Sequence, residues 1–297
     1  MDPAVDYDPY TVCRDIGAVL LLESWGTDIW RSVTADANFG GEVFGGQYLG
    51  LSIAAAMRSA PGRTPHAMSA YFLSGARADK PVEYHVERTR DGRSFAHRRV
   101  TAMQDGKETF RAEVSFHEWE QDQAAHGTAA PNFPDKATLS SLHQMVREYA
   151  DELGSAVTGR ILNREHFSMH FRPGEDGLLT RGTRPEMTAW ISPNPPPPSE
   201  PEAYYAALAY MSDSLANLAS RTMHSDSLYA GQIASSSLNH GMWFHSLPSP
   251  FEAVLYVMES PFAGGGLGYN RGAMFDAQGR VMASVTQEAL IRRRAGH

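Results

Sequence analysis

Residues 81–108 read PVEYHVERTRDGRSFAHRRVTAMQDGKE, and residues 252–280 read EAVLYVMESPFAGGGLGYNRGAMFDAQGR. Laid on one another they match Tyr84 with Tyr256, Glu87 with Glu259 and Arg99 with Arg271, each pair 172 residues apart. One inserted residue then brings Gly106 onto Gly279 and Lys107 onto Arg280. Each copy alternates apolar and polar residues around its tyrosine and is punctuated by glycine turns, at Asp91-Gly92 and Gly264 to Gly266, then at Asp105-Gly106 and Gln278-Gly279. That pattern predicts strand, turn, strand, turn, strand, twice over. The chain reads as a duplicated domain.

Working outward, an apolar helical stretch precedes each strand block. The first is Gln47 to Ser59, entered through Gly45-Gly46, and the second is Ala203 to Arg221, entered after the stiff proline run Pro195 to Pro198. A helix that is apolar nearly all round must be wrapped on most sides. A long buried helix followed by antiparallel strands predicts a curved sheet folded around a helix, once in residues 1–120 and again in residues 163–297. Between them, residues 121–162 read as a linker with its own amphipathic helix, Lys136 to Leu153.

The 297 residues carry 26 Lys and Arg against 34 Asp and Glu, a net charge of −8, with 42% hydrophobic residues. This is a globular composition with enough length for a substantial core. Without a basic block, no grip on nucleic-acid phosphates or on an anionic membrane surface is expected. The single cysteine, Cys13, forms no internal disulfide and reads as an inert small hydrophobe, and cysteine-rich zinc sites are excluded. The acidic start MDPAVDYDPY lacks a signal-peptide layout and the end RRRAGH is no peroxisomal tripeptide, so a cytoplasmic protein is expected.

The chain contains no G-x-S-x-G, no Walker A and no G-x-G-x-x-G. Gly264 to Gly266 reads as a hairpin turn rather than a phosphate cradle. His166 and His170 are four apart, but HFSMHF alternates like a strand, so no metal is expected there. Three polar residues stand out against apolar neighbours: Asp213 in the second helix, Ser237 in QIASSSLNHGMWFH, and Gln287 in MASVTQEALI. A carboxylate buried in such a helix costs several kcal/mol unless it is paired or does chemistry.

In these residues the chain resembles the acyl-CoA thioesterase II (TesB-like) family, through VFGGQ at Val43 to Gln47, AYFL at Ala70 to Leu73, TRDGRSFAHRRV at Thr89 to Val100, MWFH at Met242 to His245 and ASVTQE at Ala283 to Glu288. The resemblance implies an α+β double hotdog, two tandem domains each wrapping a sheet around a central helix, that hydrolyses acyl-CoA to free acid and coenzyme A without a cofactor or metal. It implies that Asp213, Ser237 and Gln287 hold and activate the attacking water, with Ser235 and Ser236 as alternative registers for the hydroxyl. Gly45 and Gly46, and with them Gln47, are candidates for the oxyanion or substrate, and His66 for a pocket histidine. Strand parity predicts that His240 faces away from Ser237. Alignment of the halves sets Gln47 against Asp213 and Ser115 against Gln287, so one site per chain is expected. Association of copies through their sheets is a further expectation by analogy. The rivals are a hotdog dehydratase or hydratase, which wants a His–Asp pair, and an acyl-thioester-binding protein without activity.

Overall fold

A computed structural model describes residues 14–38, 40–120, 125–172, 178–179, 181–224, 233–246 and 251–293. Cys13 and the last four residues lie outside the described set. The first half runs α1 (Ile16–Val19), β1 (Leu22–Gly26), β2 (Ile29–Ser32), α2 (Gly45–Arg58), β3 (Thr64–Phe72), β4 (Glu83–Asp91), β5 (Phe95–Gln104) and β6 (Lys107–His117). A connecting region follows, with β7 (Ser140–Ser141), α3 (Leu142–Glu148), α4 (Ala150–Leu153) and α5 (Ser155–Leu162). The second half runs β8 (Phe167–Phe171), β9 (Glu186–Pro193), α6 (Pro201–Ser212), β10 (Ile233–Phe244), β11 (Val254–Gly264), β12 (Leu267–Phe275) and β13 (Val281–Arg293). Among the described residues all strands join one sheet in the order β1-β2-β4-β5-β6-β3-β10-β13-β12-β11-β9-β8-β7. The halves meet where β3 pairs antiparallel with β10, Ala70 opposite His240 and Met68 opposite Met242.

The duplication seen in the sequence is physical. Tyr84 and Tyr256 are both fully buried, and the repeated Glu and Arg pair across neighbouring strands in each half, Arg99 with Glu87 and Arg271 with Glu259. Two hairpin turns use positive φ, at Asp105 and Gly106 in the first half and at Gly265 and Gly266 in the second. In the first half, the buried Arg98 guanidinium donates to the Ser59 hydroxyl and carbonyl at the end of α2 and to Asp91 at the hairpin, so one side chain ties helix end to turn.

Two expectations about helices need correction. The second long helix stops at Ser212 with Asp213 as its C-cap, and the following residues to His224 form successive turns. Ser212-Asp213-Ser214 is a run whose short polar side chains compete for backbone groups, and the Ser212 hydroxyl lies 2.7 Å from the Ala209 carbonyl. The connecting region is no single helix either. Asp135 caps a 3₁₀ turn (Lys136–Thr138), the Ser141 hydroxyl caps α3, and Gly154 at φ 77° separates α4 from α5. Its strand β7 pairs with β8 and so belongs to the second half's edge.

The helices α2 and α6 pack directly against one another, and glycines set their distance. A Cβ on Gly46 would lie 2.3 Å from the Tyr210 carbonyl oxygen, and one on Gly50 would lie 2.8 Å from that of Ala206. Beside this contact, Asp36 of the first half is buried and accepts from Arg164 Nη2 at 2.6 Å and from the Tyr210 hydroxyl at 2.5 Å, with His166 Nε2 at 3.6 Å. Burial alone would raise the Asp36 pKa, but the Arg164 and His166 charges and the hydrogen bonds outweigh it and hold the carboxyl well below the usual range.

Gly46→Ala should lower stability by about 1–3 kcal/mol, because backbone rather than a flexible side-chain tip fills the space. Gly159→Ala, in α5 with nothing within 4 Å of its Cβ, should be neutral or stabilising. Urea midpoints at unchanged slope read both, and equal midpoints for the two variants would refute the packing argument. Asp36→Ala, which strands Arg164, should cost about 3–5 kcal/mol by the same measurement.

Candidate active site

The three residues singled out in the sequence come from three elements and meet. Asp213 ends α6, Ser237 lies early in β10, and Gln287 lies in the middle of β13, next to β10. Gln287 Nε2 donates to Ser237 Oγ at 2.9 Å, and the Ser237 hydroxyl lies 3.4 Å from Asp213 Oδ1. Gln287 is fully buried and Asp213 is 6% exposed. Of the three serines, Ser237 is the one bonded to Gln287, while Ser236 is exposed.

Burial raises the Asp213 pKa, partly offset by the nearby His240 and Arg164 charges and by hydrogen bonds from Gln287 and Ser237. Burial likewise lowers the pKa of His240, against the pull of Asp213 and Gln287. The result is a carboxyl more basic than a free aspartate beside a histidine less basic than a free imidazole.

His240 stands where strand parity denied it a place. Simple alternation puts positions 237 and 240 on opposite faces, but β10 carries a bulge: Ser237 pairs with Ala289 and Asn239 with Glu288, leaving Leu238 unpaired. The extra residue inverts the alternation, so His240 lies directly opposite Gln287 and its Nδ1 is 2.6 Å from Gln287 Oε1. No sequence signal marked the bulge. His240 is the residue that reading missed.

The other candidates divide. Gly45 is brought against Asp213, since a Cβ there would lie 2.5 Å from Asp213 Oδ2. The first residues of α2 thus face the end of α6, and no side chain caps that N-terminus. Gly46 serves the helix contact at Tyr210 already described. Gln47 is not brought to the site: its amide accepts from Asp36 N and donates to the carbonyls of Val19 and Thr34, which pins the first half's loops to α2. His66 is not brought there either. It bonds Ser115 Oγ at 2.7 Å and packs edge-on against Phe95 and His117, a group on the half-exposed side of β3, β5 and β6. Burial lowers its pKa, with the His117 and His97 charges adding to the effect.

Register also corrects the comparison of the halves. Arg98 pairs with Val114 and Asn270 with Gln287, so Val114, not Ser115, is the counterpart of Gln287. Met68 opposite Val114 then matches His240 opposite Gln287. The counterpart of Asp213 is not Gln47, which sits at the start of its helix, and α2 contains no acidic residue. The first half has an apolar interior where the second has its polar cluster.

Among known proteins, rat "Acyl-coenzyme A thioesterase 8" is 30% identical over 290 residues, covering 93% of this chain and 88% of its own. "Acyl-CoA thioesterase 2" of Haemophilus influenzae is 28% identical, covering 92% and 96%. Among solved structures, the acyl-CoA thioesterase II TesB2 of Mycobacterium marinum superposes with a TM-score of 0.74 at 29% identity, covering 95% of this chain and all of its own. Residues 33–117 match the acyl-CoA thioesterase N-terminal domain and residues 132–291 the acyl-CoA thioesterase C-terminal domain. With a double hotdog around two central helices and both domain matches in sequence order, the chain belongs to the acyl-CoA thioesterase family.

Proposed function

We propose that this enzyme hydrolyses acyl-CoA by direct attack of a water that Asp213, Ser237 and Gln287 hold and activate. The observation that carries the mechanism is the convergence of one buried carboxylate, one hydroxyl and one amide within hydrogen-bond reach. Water is a weak nucleophile near neutral pH, whereas a thioester carbonyl is already electrophilic. A carboxylate to take one proton and two polar groups to aim the lone pair are therefore sufficient help. Asp213 accepts the proton as the new C–O bond forms, and the proton passes to the coenzyme A sulfur as the C–S bond breaks. The raised basicity of Asp213 suits the first transfer. The uncapped start of α2 at Gly45, directed at the same place, would supply backbone N–H groups and the positive end of a helix dipole to the developing oxyanion.

The dehydratase rival finds a His–Asp neighbourhood in His240 and Asp213, yet both His240 nitrogens are engaged, with Ser212 and with Gln287. A histidine so held has no nitrogen to offer a substrate. A pocket that only binds gains nothing from a buried carboxylate, which argues against the inactive rival. Among the described residues no helix is long and apolar enough to cross a membrane. A cytoplasmic place fits the single cysteine. Association of copies through the sheet belongs to the same proposal.

Asp213→Asn should lower kcat about 10²- to 10⁴-fold. Because burial raises the carboxyl's pKa in the fold, its charge costs stability at every pH above the unfolded value. The variant should therefore unfold at no lower urea concentration than wild type at pH 7. The acid limb of kcat in wild type should lie above that of a free aspartate, since activity needs the carboxylate and is lost as pH falls through its raised pKa. Release of coenzyme A thiol from a panel of acyl-CoAs reads both, and near-wild-type turnover in Asp213→Asn refutes the assignment.

Ser237→Thr keeps the oxygen and should retain a sizeable fraction of the rate, whereas Ser237→Ala should lose it and Ser236→Ala should not. Intact mass spectrometry during turnover separates the mechanisms. An acyl adduct on Ser237 would replace direct water attack with a covalent route.

A further inference from the structure

The buried ring of His240 has a partner on each nitrogen, and the direction of each bond follows from its neighbours. Gln287 Nε2 donates to Ser237 Oγ at 2.9 Å, so the amide oxygen is the atom turned toward the ring. An amide oxygen only accepts. Nδ1 therefore carries a proton, and in the neutral ring Nε2 faces the Ser212 hydroxyl at 2.9 Å and shares that hydroxyl's single proton with the Ala209 carbonyl at 2.7 Å. The alternative amide orientation would turn the Gln287 oxygen toward the Asp213 carboxylate, oxygen against oxygen, and would draw the Ser237 proton away from Asp213.

From this chain of donors we infer that His240 is a positioning residue, which as the Nδ1–H tautomer locks the Gln287 amide so that its nitrogen faces Ser237 and Asp213. The second nitrogen ties the same ring to the helix end that carries Asp213. Ser212 immediately precedes Asp213, and its carbonyl accepts from the Tyr256 hydroxyl at 2.6 Å. His240 thus joins two of the water-holding groups through one rigid plane. It never touches substrate. An unheld Gln287 could rotate its amide by half a turn about the last side-chain bond and present the wrong atom to the water, and an error of that kind in aim is costly to rate. The inference rests on the proposed trio.

The test is a set of substitutions assayed by thiol release from acyl-CoA, each checked for its urea midpoint. His240→Ala should lower kcat about 10- to 100-fold while KM stays within about twofold, because aim is lost and the binding surface is not. Asn sets an amide nitrogen close to the place of Nδ1, and Gln sets one close to the place of Nε2. His240→Asn should therefore recover most of the rate, and His240→Gln should not. In a Gln287→Ala background, His240→Ala should cost less than about twofold further, since its object is gone.

A wild-type kcat in His240→Ala, an Asn variant no better than Ala, or the same fold-loss in both backgrounds would overturn the inference. Should His240→Ala fail to fold, the contrast between Asn and Gln still decides. A Gln287→Ala enzyme at wild-type rate overturns the trio and this role together, a different result from equal losses in two backgrounds, which overturns the role alone.

Discussion

Two helices approach without side chains between them, and the rest of the site depends on that approach. Gly46 and Gly50 of α2 let its backbone rest on the carbonyls of α6, and Gly45 lets its first turn reach Asp213. The consequence is electrostatic as much as steric. Asp213 ends its own helix, where the partial charge of the unsatisfied carbonyls is negative and a carboxylate is disfavoured. The start of α2 brings the opposite partial charge to the same carboxylate. A carboxyl whose pKa burial raises is thus kept within reach of its charged form by a helix from the other half. Neither half alone contains this arrangement.

Burying polar groups costs free energy, and the molecule meets that cost with connected networks. Asp36, Arg164, His166 and Tyr210 bond to one another across the halves. Tyr210 stands one helical turn before Asp213, so the same segment of α6 carries a structural network at one level and the chemical one at the next. Ser212 and Tyr256 fix the backbone between them. The rigidity of this region therefore comes from polar bonds as well as from packing.

Much of this was legible in the chain because it is written in short-range chemistry. The repeat of Tyr84, Glu87 and Arg99 at Tyr256, Glu259 and Arg271 gave the duplication, glycine turns gave the hairpins, and all-round apolar helices gave the wrapping. Asp213, Ser237 and Gln287 were conspicuous because each polar group sits among apolar neighbours. What escaped was whatever depends on counting without error. A single unpaired residue, Leu238, moved His240 to the other face; a shift of one exchanged Val114 for Ser115; and Ser212-Asp213-Ser214 ended a helix whose apolar pattern ran on. Gln47 and His66 misled for another reason. Their residue types suit chemistry, but their partners are backbone carbonyls and an outer-face serine, which only the folded chain discloses.

The apolar counterpart in the first half, with Met68 and Val114 where the second half has His240 and Gln287, gives the two interiors unequal freedom. Exchange of one hydrocarbon for another around Met68 alters only how firmly the molecule holds together. The same exchange around His240 would also remove hydrogen-bond partners of Gln287 and Ser212. The duplicated chain thus keeps one half as ballast: a reserve in which cohesion can be gained or lost while the chemistry next door stays the same.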